Sequence, residues 1–338
     1  MASVPRESDP EIQELRSRAR IGDASAMTAL GTRLLVGRDA PHSPDEGSSL
    51  ISRAVALDDP QAMSVQATLT AAGVWATQDW DRALDLLASA AEGGAQDARQ
   101  QLLLIAGGAS AAADVAVTPG SPSMWRQLRR RIDLERWVVP SQPRQVWDWP
   151  KIWIAENFTT PAVCAWLIGR ARGKFTPSMM FTGQKAVFHA TRTCSDFSFS
   201  LVEGGVIMLL LRTRIGLLTG LRAEQMEPPQ IFHYATGQGI DPHYDSVYDG
   251  ETAYGRSGDY HGDRLATLLL YLNDDYDGGV LQFVRVGYSY RGRAGDAIFF
   301  ASLRGGKRDE RAEHGATTVT RGEKYILSQW IHDRPFAA

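Results

Sequence analysis

Two textures of apolar and polar positions divide the chain. From about residue 10 to 108, Ala and Leu recur at helical spacing between short polar breaks, and the pattern repeats at 36 residues: RARIGDASAM (18–27), AVALDDPQAM (54–63) and AAEGGAQDAR (90–99) align without gaps. Ala26, Ala62 and Ala98 fall in register, as do Leu50-Ile51 and Leu86-Leu87. Small side chains at fixed points of such a period let paired helices approach closely, which predicts a solenoid of helix pairs. A helical bundle with coincidental Ala spacing is the alternative. The segment SAAADVAVTPGSPSM (109–123) is small and weakly patterned and reads as a linker, and MWRQLRRRIDLERW (124–137) predicts a basic helix whose RRR is a solvated face.

Beyond residue 145 short β-type runs dominate. Thr159 to Arg172 and Gly204 to Leu221 predict helices, the first opened by Thr-Thr-Pro. IFHYA (231–235), ATLLLYLN (266–273), VLQFV (280–284), YSYRG (288–292), DAIFFA (296–301) and KYILSQWI (324–331) predict strands separated by Gly-rich or Asp-rich turns. Many short strands without intervening helices indicate an antiparallel barrel or sandwich. The expected class is therefore α+β in two domains: helical repeats over 1–110, a linker and basic helix over 111–144, and a strand-rich domain over 145–338.

Composition narrows the partners. With 36 basic and 39 acidic residues and a net charge of -3, nucleic acid and anionic membranes are excluded as main partners. Cys164 and Cys194 are too few for a disulfide framework or a zinc ribbon, and a reducing compartment suits them. The N-terminus carries charges where a signal peptide needs an apolar stretch, so the expectation is a cytoplasmic protein without a membrane span.

The chemistry starts at His243-Tyr244-Asp245. On a strand, residues two apart share a face, so this imidazole and carboxylate can grip one ion. His314, 71 residues later, supplies a third ligand after a stretch long enough to complete a β-fold and return. Two His and one carboxylate leave coordination positions open, as iron(II) oxygenases require, whereas a structural zinc site closes its shell. Lys324 follows ten residues on, a cation able to hold the far carboxylate of a chelating dicarboxylate that would be costly to bury unpaired. Tyr271 can complete that anchor with its hydroxyl. Asp274, Asp275 and Asp277 lack the distal Glu of a calcium loop, and His233, His261 and His332 have no partners at ligand spacing.

Residues 231–333 resemble the catalytic domain of prolyl 4-hydroxylases, a branch of the 2-oxoglutarate/iron(II) oxygenases built on a double-stranded β-helix, or jelly roll. The resemblance rests on Tyr234-Ala-Thr-Gly237-Gln238, Arg264-Leu-Ala-Thr-Leu-Leu-Leu-Tyr271-Leu-Asn273, Gly278-Gly279, Gly295-Asp296 with Phe299-Phe300, His314, Gly-Glu-Lys324 and Trp330-Ile-His. It fits more loosely over 150–230. The N-terminal repeats resemble Sel1-like repeats, relatives of the tetratricopeptide array.

The resemblance implies His243, Asp245 and His314 as metal ligands for Fe(II), and Lys324 as the partner of 2-oxoglutarate. Tyr234, Tyr271 and Leu281 would line the co-substrate pocket, and Arg264 and Trp330 would face substrate. Tyr271 and Trp330 could instead be plain barrel core, and Arg264 could salt-bridge a loop carboxylate. Val280-Leu281 replaces the Glu-Thr of collagen-type members, and Ile240 stands where an aromatic residue is common; both departures bear on substrate more than on chemistry. The implied activity is O2-dependent hydroxylation of an unactivated C–H bond, of a prolyl residue in a protein or peptide, with release of succinate and CO2 and with ascorbate as an accessory. The repeats would recruit the polypeptide. The other readings are a hydroxylase of a free amino acid or peptide natural product, and a repeat-based scaffold or sensor with an inactive oxygenase domain. The loop 246–263, polar and Gly-rich, is expected to close over substrate.

Overall fold

A computed structural model describes residues 9–108, 123–178, 180–181, 186–187, 193–246 and 262–335. The chain separates into two compact units, Met1–Val138 with Ser200–Arg212, and Val139–Phe199 with Thr213–Ala338.

The first unit is helical. Six helices, α1 (Pro10–Arg20), α2 (Ala24–Val36), α3 (Pro44–Val55), α4 (Pro60–Ala72), α5 (Trp80–Glu92) and α6 (Gln96–Ile105), follow one another with short turns. The 36-residue period is written in their ends. Asp23 and Asp59 occupy equivalent caps and accept hydrogen bonds from the amides of Ala26 (3.0 Å) and Ala62 (2.7 Å), satisfying backbone donors that a helix start leaves orphaned. Gly37 and Gly73 close α2 and α4 at left-handed φ values of 67° and 71°, which glycine adopts without strain. The third unit keeps the spacing but not the cap, because Ala95 has no side-chain acceptor. Ala26, Ala62 and Ala98 are all buried. Glycine brings α2 and α3 close: a Cβ on Gly31 would lie 2.9 Å from the Gly47 carbonyl oxygen, and one on Gly47 2.8 Å from that of Gly31.

The expected basic helix is split into Met124–Arg130 and Leu134–Val138. Asp133 accepts from the Arg136 amide (3.2 Å) and so starts a second helix. Its charge is partly neutralised within the unit, since Arg126 reaches Glu92 (2.8 Å) and Arg129 reaches Asp81 (2.8 Å) and Asp85 (2.9 Å) on α5. Part of the long helix Leu201–Thr219 also lies in this unit. It kinks at Gly205, where φ is 60° and where a Cβ would meet the buried Gln101 side chain.

The second unit holds the strands. An eight-stranded sheet runs Arg144–Trp147, Ile152–Ala155, Ala297–Ala301, Arg264–Tyr271, Lys324–His332, Gln230–Tyr234, Ser195–Ser198 and Thr176–Pro177. A four-stranded sheet runs Tyr288–Tyr290, Leu281–Phe283, His314–Ala316 and Ile240–His243. All pairings are antiparallel, and one core takes Phe232, Phe300 and Trp330 from the large sheet and Leu281 and Phe283 from the small. This is the expected jelly roll. The predicted strands all form, within a residue or two of their expected ends. The helix Pro161–Ala171 starts at Thr160, whose side chain accepts from the Val163 amide (3.3 Å). Among the described residues no helix is long and apolar enough to cross a membrane.

Candidate metal centre

The small sheet brings the two histidines together. His243 ends one strand, His314 begins the next, and the two are directly paired in register, with ring centroids 4.6 Å apart. Each imidazole is turned by its own backbone. Nδ1 of His243 lies 2.9 Å from the Asp241 carbonyl, and Nδ1 of His314 lies 2.9 Å from the Ala312 carbonyl. A carbonyl only accepts, so Nδ1 donates in both rings and Nε2 is the nitrogen turned toward Asp245.

Asp245 closes the triad, but not as an alternate residue of a strand. The strand stops at His243 and the carboxylate sits in a bend beyond it. The large sheet holds it there: the Thr267 hydroxyl donates to Asp245 Oδ2 at 2.6 Å. Asp245 Oδ1 lies 3.7 Å from Nε2 of His243, and Oδ2 lies 3.5 Å from Nε2 of His314. Burial works against the carboxylate's charge, and His314, His243, Arg264 and the Thr267 hydrogen bond outweigh it, holding the pKa down at about 2. The Asp245 and His314 side chains are about 5% exposed and His243 about 20%, so the group is open on one side.

His243, Asp245 and His314 form the one such cluster of three possible ligands among the described residues, their ligand atoms within 4.8 Å of one another. Two imidazole nitrogens and one carboxylate, without a fourth protein donor among the described residues, fit a divalent ion that keeps coordination sites for small ligands. Removing the Thr267 hydroxyl while keeping its shape tests how the carboxylate is held. Thr267→Val should weaken metal binding by about 10- to 100-fold. The measurement is anaerobic metal titration; wild-type affinity in this variant would show that the hydroxyl does not tune the ligand.

A pocket leads from the triad to Lys324 and includes Tyr234, Leu281, Ile326 and Trp330 in its lining. Lys324 is 2% exposed. Its ammonium donates to the Gly279 carbonyl at 2.7 Å and lies 5.5 Å from the ring centres of both Tyr234 and Tyr271. Among the described residues no carboxylate lies in ion-pair range of it. Burial, and secondarily the Arg291 charge, push its pKa down to about 7. Tyr271 stands behind this wall, its hydroxyl 3.4 Å from the Tyr290 carbonyl.

Arg264 makes a two-pronged contact with Glu227 at 2.6 and 3.0 Å and stacks on Trp330, 3.8 Å from the ring centre. Nε2 of His332 meets the same carboxylate at 2.6 Å. Arg264 is thus tied to a carboxylate and also forms the backing of a pocket residue. Residues 247–261, which hold most of the expected lid, lie outside the described residues.

Thr267 carries no signal of its own in the Arg264-Leu-Ala-Thr run, because a Thr inside an apolar strand reads as β-branched filler, and Glu227 carries none because its link to Arg264 spans 37 positions.

Residues 229–332 match the 2OG-Fe(II) oxygenase superfamily. The chain is similar to prolyl 4-hydroxylase 1 of Arabidopsis thaliana, 31% identical over 230 residues that cover 60% of this chain and 79% of the relative. Among solved structures it is similar to a viral collagen prolyl hydroxylase from Paramecium Bursaria Chlorella virus-1 in complex with 2OG, with 25% identity, 53% of this chain and 94% of that chain covered, and a TM-score of 0.43. It is also similar to a Sel1 repeat protein from Oxalobacter formigenes, with 23% identity, 36% of this chain and 98% of that chain covered, and a TM-score of 0.27.

Proposed function

Because the chain belongs to the prolyl 4-hydroxylase family of 2OG-Fe(II) oxygenases, we propose that it hydroxylates a prolyl residue of a protein or peptide. One 2-oxoglutarate and one O2 are consumed for each alcohol formed, and succinate and CO2 are released. The observation that carries the reading is the pairing of an open triad with a buried lysine at the far end of one pocket. Together they match a ligand with a chelating 2-oxo acid at one end and a carboxylate at the other.

Nε2 of His243, Nε2 of His314 and the Asp245 carboxylate would hold the iron. Iron(II), when bound, supplies the activation of dioxygen coupled to oxidative decarboxylation of 2-oxoglutarate, and ascorbate would return iron oxidised in uncoupled cycles to the ferrous state. The chain's own part is positioning and exclusion. Lys324 would take the far carboxylate, with the Tyr234 and Tyr271 rings shielding that pair from water, and Leu281 and Ile326 would keep the stem of the co-substrate in apolar surroundings. Trp330, backed by the Arg264 guanidinium and its Glu227 partner, would present the rim against which the substrate settles. The helical repeats would hold the rest of a polypeptide substrate.

The deciding experiment incubates the protein, and a triad variant as control, with Fe(II), ascorbate, 2-oxoglutarate and proline-containing peptides or lysate protein. We expect succinate release and a mass gain of one oxygen on prolyl residues only with the intact triad. Oxygen found on another residue type would replace the substrate assignment and leave the chemistry standing, whereas no succinate under any substrate pool would favour the scaffold reading.

A further inference from the structure

The strand Lys324–His332 turns alternate side chains, Lys324, Ile326, Ser328 and Trp330, toward the pocket. Ser328 is 1% exposed, and its hydroxyl has no hydrogen-bond partner. Buried polar groups in native interiors are paired as a rule, and an exception on a pocket wall marks a place where a ligand completes the pairing. Among the described residues that line this pocket, Ser328 Oγ and Trp330 Nε1 are the buried side-chain polar atoms left without a partner.

Register fixes where Ser328 stands. On the neighbouring strand, Thr267 is opposite Trp330 and Leu269 is opposite Ser328. Thr267 holds the Asp245 carboxylate, so the metal ligands sit at the level of Trp330, and Ser328 lies one alternation deeper, on the way to Lys324. The pocket residues around it, Ile326, Leu269 and Leu281, are apolar. A molecule spanning from the triad to Lys324 passes Ser328 and finds one donor there.

We propose that Ser328 binds the co-substrate: its hydroxyl donates to an oxygen of the metal-chelating 2-oxo acid end and fixes how that end faces the metal. This rests on the oxygenase reading above and adds a residue to it. No protein group among the described residues pairs with the hydroxyl, so its loss is expected to be read in co-substrate binding and not in stability.

The test is anaerobic titration of the Fe(II)-loaded protein with 2-oxoglutarate, followed by the metal-to-ligand charge-transfer absorption, for wild type, Ser328→Ala and Ser328→Thr. The melting temperature of each metal-free protein is measured beside it. Ser328→Ala should bind 2-oxoglutarate about tenfold more weakly, with a shifted absorption band and no loss of melting temperature. Ser328→Thr, which keeps the hydroxyl, should restore affinity and band. A Ser328→Ala protein with wild-type affinity and band overturns this inference alone, as does one whose melting temperature falls and which Thr does not rescue. A wild-type protein without any 2-oxoglutarate-dependent band overturns the oxygenase reading, and the inference with it.

Discussion

His243→Ala and Asp245→Ala should each lower 2-oxoglutarate-dependent succinate release by more than about a hundredfold, beyond the cost of losing an outer-shell partner. The two substitutions fail for different reasons. His243→Ala removes one of two nitrogen donors and leaves a nitrogen–oxygen pair too sparse to hold an ion against water. Its side chain is about 20% exposed, so little core is disturbed and the melting temperature of the metal-free protein should hardly move. Asp245→Ala removes the site's one negative charge and leaves the buried Thr267 hydroxyl without its acceptor, so some stability is lost along with the metal. Asp245→Asn separates the terms, since it keeps the shape and one acceptor oxygen but not the charge. Metal content after anaerobic loading is the measurement, and a His243→Ala protein that retains one equivalent of iron and turns over would dismiss the triad.

Lys324→Ala should raise the 2-oxoglutarate requirement by at least about a hundredfold, the scale of breaking a buried ion pair, with a smaller fall in the rate at saturation. The same lysine makes co-substrate binding depend on pH. In the free protein its pKa is lowered to about 7, first by burial and then by Arg291, so above that pH the amine is largely neutral. A dicarboxylate binds the ammonium form, and binding must then draw a proton from solution. Affinity for 2-oxoglutarate should therefore be flat below about pH 7 and fall by about tenfold per unit above it, until the pKa of the bound state is reached. A flat profile from pH 7 to 9 in wild type, or a slope that survives in Lys324→Ala, would remove Lys324 from the anchor.

The sequence exposed the parts of this molecule that obey a period. The helix pairs were legible because Ala26, Ala62 and Ala98 must be small for the same reason in each unit, and the central strands because apolar runs such as ATLLLYL admit few other readings. His243 and His314 were legible as candidate ligands from their type and order, and the structure brings them together with Asp245. Asp245 joins that cluster by another route than strand alternation: it lies past the strand end, and a hydroxyl on the other sheet aims it. The strands Arg144–Trp147 and Ile152–Ala155 were missed because RQVW and IWIA are only four residues each and neither alternates apolar with polar positions. The basic helix was drawn too long because one Asp serves equally as a helical surface residue and as a cap. Ser328 was invisible as a site residue, since only the absence of a partner in three dimensions distinguishes it from any other serine of a strand.

Both imidazoles are pinned through Nδ1 to carbonyls two residues upstream, and the carboxylate is pinned by Thr267, so the ligands are aimed before any ion arrives. A rigid mould of this kind spares the ordering cost of loading, yet it gives iron no advantage over its neighbours in the first transition row. Cobalt, nickel and zinc bind such nitrogen–oxygen sets more tightly than ferrous ion does. If the triad holds iron as proposed, mismetallation would be the natural failure mode of this protein, and the fraction able to turn over would follow the supply of each metal.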